Sequence, residues 1–200
     1  MKNLNKAIGK KRKIINNYNK TASFYDNRYR KIQEQKYETI LNNYHSNAKL
    51  ILDAGCGTGL FTDFIITLIK RKGFTPFIYV GTDISLGMLD MFKMRLQGLK
   101  MKKVFNLILS DLENLPFREN IFQSIFSLTS FQNLPNIDKG VRNLYRVGKN
   151  NADLNISILK KKNNLIELIE LLRPLVKNLK TTNKENLEDI IIQCMLFKRI

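Results

Sequence analysis

The sequence predicts an α/β protein, a doubly wound and mostly parallel sheet with an N-terminal helical cap, and three observations carry that reading. An apolar run, Leu50, Ile51 and Leu52, has the composition of a strand buried on both faces. It leads into Asp53 and then Gly55, Gly57 and Gly59 at every second position, followed at once by a helix-compatible segment over residues 60–72. Strand, glycine turn and helix make up the nucleotide-cradling unit of doubly wound sheets. Downstream, strand and helix patterns alternate, and two further strand candidates end in an acid, Asp83 and Asp111.

Taken in order, residues 1–20 are polar and basic with little apolar periodicity, which predicts a flexible or loosely helical arm. From residue 21 the pattern tightens. Phe24, Tyr25, Tyr29, Ile32, Tyr37, Ile40 and Leu41 recur near helical spacing, so residues 21–47 read as a helical cap packed over the sheet. Residues 21–200 form one domain on this reading, with no room for a separate substrate-recognition domain. A turn at Gly73 and Pro76 leads to a second strand at 77–83, then an amphipathic helix at 85–96 with Met88, Leu89, Phe92 and Leu96 inward. A third strand spans 103–111 and a fourth 121–128, followed by a loop at 129–136. A helix at 137–147, a turn at 148–151, a fifth strand at 153–159, a helix broken near Pro174 and a last strand from residue 187 complete the chain.

The spacing of the glycine segment says more than its glycine count. Dinucleotide folds read Gly-x-Gly-x-x-Gly, whereas here an acid stands two residues before the first of three alternating glycines. A carboxylate there would repel a pyrophosphate and suits a ligand carrying an ammonium group. Residues 49–61 resemble motif I of the class I (Rossmann-like) S-adenosylmethionine-dependent methyltransferases, of the small type 11-like kind. The resemblance implies a seven-stranded sheet and S-adenosyl-L-methionine as cofactor, cradled by Asp53, Gly55, Cys56, Gly57 and Gly59. It makes Asp83, 24 residues after Gly59, the acceptor for both ribose hydroxyls and lays Ile84 against the adenine. Asp111 and Leu112 then correspond to the position that reads the adenine edge, with a helix N-cap as the competing role for Asp111. Tyr25 and Tyr29 fall in the segment that folds over the cofactor in such enzymes, although an aromatic core explains them equally well.

Substrate identity should be written in the loop at 129–136. It lacks the Asn/Asp-Pro-Pro-aromatic turn of adenine amino-methylating enzymes, a cysteine nucleophile and metal-binding carboxylates. Gln132 and Asn133 stand where quinone and sterol enzymes often carry paired histidines, and they could orient an acceptor. The run 127–132 bears a weak likeness to ribosomal-RNA guanine-N7 methyltransferases. Cys56 and Cys194 support neither a disulfide framework nor a zinc site, and His45 lies outside every motif. No apolar run is long enough for a membrane span, so the reading is a cytoplasmic protein.

The formal charge is +17. Abundant Lys, Asn and Ile are also what an AT-rich genome produces. Yet the first twenty residues hold Lys2, Lys6, Lys10, Lys11, Arg12, Lys13 and Lys20 without an acid, and basic clusters recur at Lys100, Lys102 and Lys103 and at Lys160, Lys161 and Lys162. The sequence therefore favours methyl transfer to RNA (tRNA or rRNA), with the basic arm contacting phosphates. A small-molecule methyltransferase, quinone-like or other, is the alternative, and a non-catalytic cofactor-binding partner subunit is a third reading.

Overall fold

The computed structural model describes residues 2–42, 44, 47–72, 77–99, 102–161 and 164–199. His45, Gly73, Pro76, Lys100 and Lys162 lie outside the described residues.

The strands are β1 (Leu50–Ala54), β2 (Ile78–Asp83), β3 (Phe105–Leu109), β4 (Phe122–Leu128), β5 (Gly148–Leu159), β6 (Val176–Thr182) and β7 (Asp189–Leu196). They form one sheet in the order β3-β2-β1-β4-β5-β7-β6. The first five pair in parallel, and β7 runs antiparallel to both β5 and β6. The winding direction reverses between β1 and β4, which places a crevice outside their carboxyl ends. The expected seven-stranded, doubly wound sheet is what the chain forms.

The helices are α1 (Lys2–Asn42), α2 (Leu60–Lys72), α3 (Leu86–Gln97), α4 (Ile137–Val147) and α5 (Leu165–Leu172). Side chains alternate across each strand, so the sheet feeds two cores. On one face Ile51, Tyr79 and Phe126 pack with Tyr37, Ile40, Phe61 and Phe92 from α1 to α3. On the other, Leu52, Ile125 and Ile156 pack with Val141, Leu144 and Leu168 from α4 and α5. The first core is aromatic, with Phe61 and Phe126 at 4.7 Å between ring centroids and Tyr79 and Phe105 at 5.2 Å. Met88, Leu89, Phe92 and Leu96 are the buried residues of α3, as the spacing predicts. Its N-cap is Ser85, whose Oγ accepts from the Met88 amide.

Three elements differ from expectation. Residues 2–42 form a single helix, so the stretch read as a flexible or loosely helical arm is helical and continuous with the cap. It is held by tertiary contacts: Lys10 Nζ donates to the Leu134 carbonyl, and Lys11 pairs with Asp111 and Glu113. Residues 148–151, read as a turn, begin β5, with a register shift against β4 between Phe122 and Ser124. β6 was not separated from the helix before it. It is an edge strand with no fully buried residue, so its polar composition gives no alternating signal.

Arg95 of α3 clamps the cap to the glycine loop. Its Nη2 reaches Asp26 of α1, its Nη1 donates to Asp63 at 2.7 Å and its Nε to the Thr58 carbonyl at 3.0 Å, while Thr58 Oγ1 donates to Asp26. Gly59, at φ +79°, sits where a Cβ would lie 2.3 Å from the Phe92 ring. Gly59→Ala is expected to cost at least about 2 kcal/mol, read by urea unfolding; a cost below a few tenths would show that Phe92 has room to move.

Candidate active site

The turn after β1 is hydrogen-bonded to the end of β2. The Gly55 and Cys56 amides donate to the Thr82 carbonyl at 2.7 and 2.9 Å. Gly55, Gly57 and Gly59 all have positive φ, a region glycine enters without steric cost. A Cβ at Gly55 would meet Ser130 Oγ at 2.0 Å, whereas one at Gly57 would meet nothing within 4 Å. The backbone at Gly57 therefore borders open space.

That space is a cleft lined by Gly55, Gly57, Asp83, Ile84, Asp111, Leu112, Asn133 and the α1 residues Lys11, Ile14, Tyr18 and Tyr25. Asp83 ends β2 at its centre. Its two carboxylate oxygens accept from the Gly57 amide at 2.9 Å and the Ser85 amide at 2.8 Å. Each oxygen keeps a further lone-pair direction, so the group can still receive two donors. Burial raises its pKa, against the pull of the backbone amides.

Asp111 both caps and pairs. Its Oδ1 accepts from the Glu113 amide at 2.9 Å, starting the 3₁₀ turn Leu112–Asn114, and its Oδ2 takes Lys11. The N-cap role weighed in the sequence is thus real, and it leaves the carboxylate at the cleft wall. Ser110 Oγ, buried beside it, has no hydrogen-bond partner among the described residues. Across the cleft, Asn133 Nδ2 donates to Tyr18 Oη at 2.9 Å, and Asn19 accepts from Ser85 Oγ at 2.6 Å and the Gly87 amide at 3.0 Å. The first half of α1 is a wall of the cleft.

A smaller cavity shares Tyr25, Gly55, Gly57 and Leu128 with the cleft and adds Gln33, Tyr37, Asp53, Cys56 and Thr58. Asp53 is 1% exposed and accepts a hydrogen bond from Tyr79 Oη. Burial pushes its pKa up to about 7. A cation entering this cavity would find a carboxylate ready to ionise. Cys56 is held as a neutral thiol, since burial raises its pKa well above the ordinary value.

Thr129, at the end of β4, has φ +57°, an outlier for a β-branched residue. A buried network holds it. Its Oγ1 and Ser157 Oγ each donate to Asp189 at 2.7 Å, and Lys36 Nζ reaches both Asp189, at 2.9 Å, and Thr129 Oγ1. Burial lowers the Lys36 pKa against the pull of Asp189.

Most of the residues singled out in the sequence meet in the two cavities. Tyr29, Gly59 and Gln132 line neither. Tyr29 packs against Tyr25 with the rings tilted and their centroids 4.7 Å apart, Gly59 makes room for Phe92, and Gln132 donates from Nε2 to the Thr129 carbonyl. Lys11, Tyr18, Gln33, Thr129 and Ser130 were missed. A signal for the first two existed: Lys11, Ile14, Tyr18, Ala22, Tyr25 and Tyr29 recur at intervals of three and four, one helical face. Among the described residues no cluster of His, Cys, Asp or Glu is gathered for a metal ion, and no helix is long and apolar enough to cross a membrane.

The sequence of the sheet and its glycine loop, residues 52–156, matches the methyltransferase domain family. The chain belongs to that family. It is similar to a malonyl-[acyl-carrier protein] O-methyltransferase of Priestia megaterium, 27% identical over 143 residues that are 72% of this chain and 48% of that protein. It is also similar to a 2-phytyl-1,4-naphtoquinone methyltransferase of Nostoc punctiforme, 32% identical over 101 residues, 50% of this chain and 42% of that one. The chain thus spans less than half the length of these relatives. In fold it matches a magnesium protoporphyrin IX methyltransferase of Synechocystis PCC 6803 crystallised with S-adenosylmethionine, at a TM-score of 0.72 and 16% identity over 94% of this chain and 97% of that one.

Two outcomes follow from the buried charges of this methyltransferase domain. Asp189→Ala, which strands the Lys36 ammonium in the core, should cost about 3–5 kcal/mol of stability in chemical denaturation, and Lys36→Met added to it should restore a large part; no recovery would show that the pair is not what holds Thr129. Asp53 binds its proton more tightly folded than unfolded, so its contribution is complete below pH 3.8 and is lost as the pH rises to about 7. Asp53→Asn should flatten stability across that window by up to about 4 kcal/mol, measured as Tm against pH; an unchanged slope would place the titration elsewhere.

Proposed function

We propose that the protein is a methyltransferase that uses S-adenosyl-L-methionine and acts on a small-molecule acceptor, quinone-like or another metabolite. The observation that carries the reading is the Asp83 carboxylate. It is oriented by the Gly57 and Ser85 amides and retains acceptor directions toward the cleft, an arrangement suited to paired ribose hydroxyls. Ile84 and Leu112 offer apolar surface to a base, and Asp111 and the unpartnered Ser110 hydroxyl offer polar contacts at its edge. Asp53 and Gln33, in the adjoining cavity, suit the ammonium end. When bound, the cofactor supplies an electrophilic methyl group on a cationic sulfur.

The protein's task is then alignment and exclusion of water, which can carry most of such a rate enhancement. Tyr25 stands at the junction of the two cavities and Tyr18 over the larger one, shielding the site from solvent. Asn133 and Ser130 border the cleft from the loop after β4 and are the groups we assign to acceptor orientation. Thr129, fixed by Lys36 and Asp189, sets where that loop begins.

The sequence put RNA first and a small molecule second. The second reading has the better support, because the acceptors named for the similar proteins are a carrier-bound malonyl group and a phytylated quinone. α1 also lies along the cleft, which leaves a walled and largely apolar site. The test is transfer of label from methyl-labelled S-adenosylmethionine to separate small-metabolite, RNA and protein fractions. Label in small metabolites is expected; label in RNA alone would restore the other order, and none in any fraction would favour the non-catalytic reading. Asp83→Ala should weaken S-adenosylhomocysteine binding by about 1–3 kcal/mol in calorimetry, and an unchanged affinity would remove Asp83 from the site.

A further inference from the structure

The outward face of α1 takes no part in the cleft, yet its composition is one-sided. At 100° per residue, Lys6, Lys13, Lys20, Phe24 and Lys31 fall within a sector of about 40°, along a ridge about 37 Å long. All five are exposed, Phe24 at 70%. Three other lysines of α1 behave differently. Lys10 is bonded to Leu134, Lys11 to Asp111 and Glu113, and Lys36 to Asp189. Among the described residues, Lys6, Lys13, Lys20 and Lys31 have no such partner.

No acid lies in this sector between Lys6 and Lys31. None occurs in residues 2–25. Asp26 turns to Arg95 and Thr58, and Glu34 faces Arg30. Glu38 is exposed in the same sector, seven residues past Lys31. A lysine-rich composition alone would scatter lysines around the helix and would not set a phenylalanine in water between Lys20 and Arg28, one turn to either side. A solvated helix face explains the charge but not the ring.

The geometry points to α1 as a docking helix that lays this ridge on an anionic membrane surface. The ridge lies on the convex surface of one uninterrupted helix, which suits a broad surface: lysines reach the phosphate layer and Phe24 lies at headgroup level. A single-stranded nucleic acid calls instead for a basic groove that follows its backbone. Because the opposite face of α1 walls the cleft, docking sets the cleft beside the phase that holds apolar acceptors. The docking itself does not require the methyl-transfer reading.

The experiment is co-sedimentation with vesicles of phosphatidylcholine alone and of phosphatidylcholine with a quarter phosphatidylglycerol, at low and high salt. Binding is expected only with phosphatidylglycerol, and it should weaken with salt. The triple variant Lys13→Glu, Lys20→Glu, Lys31→Glu should bind at least about 100-fold less, and Phe24→Ser should bind less with the same salt dependence. If the triple variant loses its unfolding transition, Lys13→Glu alone decides, with a loss of about fivefold. Equal binding to both vesicles, undiminished binding by the charge variants, or ridge-dependent binding to a single-stranded RNA with no vesicle binding would overturn the proposal. S-adenosylhomocysteine affinity on the same proteins separates the two readings: its absence with vesicle binding intact would sink the methyl-transfer reading and leave the docking one standing.

Discussion

The hydrogen bonds that tie the turn after β1 to the end of β2 are the constraint on which the site depends. Thr82 can receive two amides from one turn because Gly55 and Gly57 adopt positive φ and fold the chain back over the sheet. The same turn delivers the Gly57 amide to Asp83, so the carboxylate is oriented by the loop it helps to fix. Ser130 fits against Gly55 because no side chain stands there. The β1, β2 and β4 ends are thus locked to one another before any ligand arrives.

α1 is the second organising element, and it works through different physics. Its inward face is anchored at several polar points along its length, at Asp111, Ser85, Asn133, Thr58 and Asp189. A helix of this composition has little stability alone and is held by what it packs against. The walls of the cleft consequently come from the N-terminal helix and from strand ends far from it in sequence, and the outward face of the same helix stays free for another surface.

Burial of polar groups sets the electrostatics. Asp53 lies on the aromatic side of the sheet because strand alternation turns it there with Ile51. Removed from water and bonded to Tyr79, it holds its proton near neutrality until a cation arrives. Lys36 and Asp189 meet under the loop after β4, where their bonds to Thr129 hold a backbone conformation that a β-branched residue otherwise avoids. Such charges persist in a core only when their partners are complete.

Much of this was legible in the residues. The strand, glycine turn and helix at 50–72 and the inward face of α3 depend on near-neighbour patterns, and those patterns set the class of fold and the family. So does the acid at the end of each of the first strands. Other features were not legible. β6 has no buried stripe because it is an edge strand. The first half of α1 read as an arm because its stabilising partners are far away in sequence, 66 residues between Asn19 and Ser85 and 100 between Lys11 and Asp111. Gly59 reads as part of a cradle, yet its missing side chain serves Phe92. The sequence by itself determined the parallel strands, the glycine turn and the acids at or just past the strand ends, since these follow from local backbone preference and apolar periodicity. The tertiary structure alone decided which polar groups are buried together and which face of α1 meets the cleft, because desolvation and pairing depend on neighbours that the chain brings together only when folded.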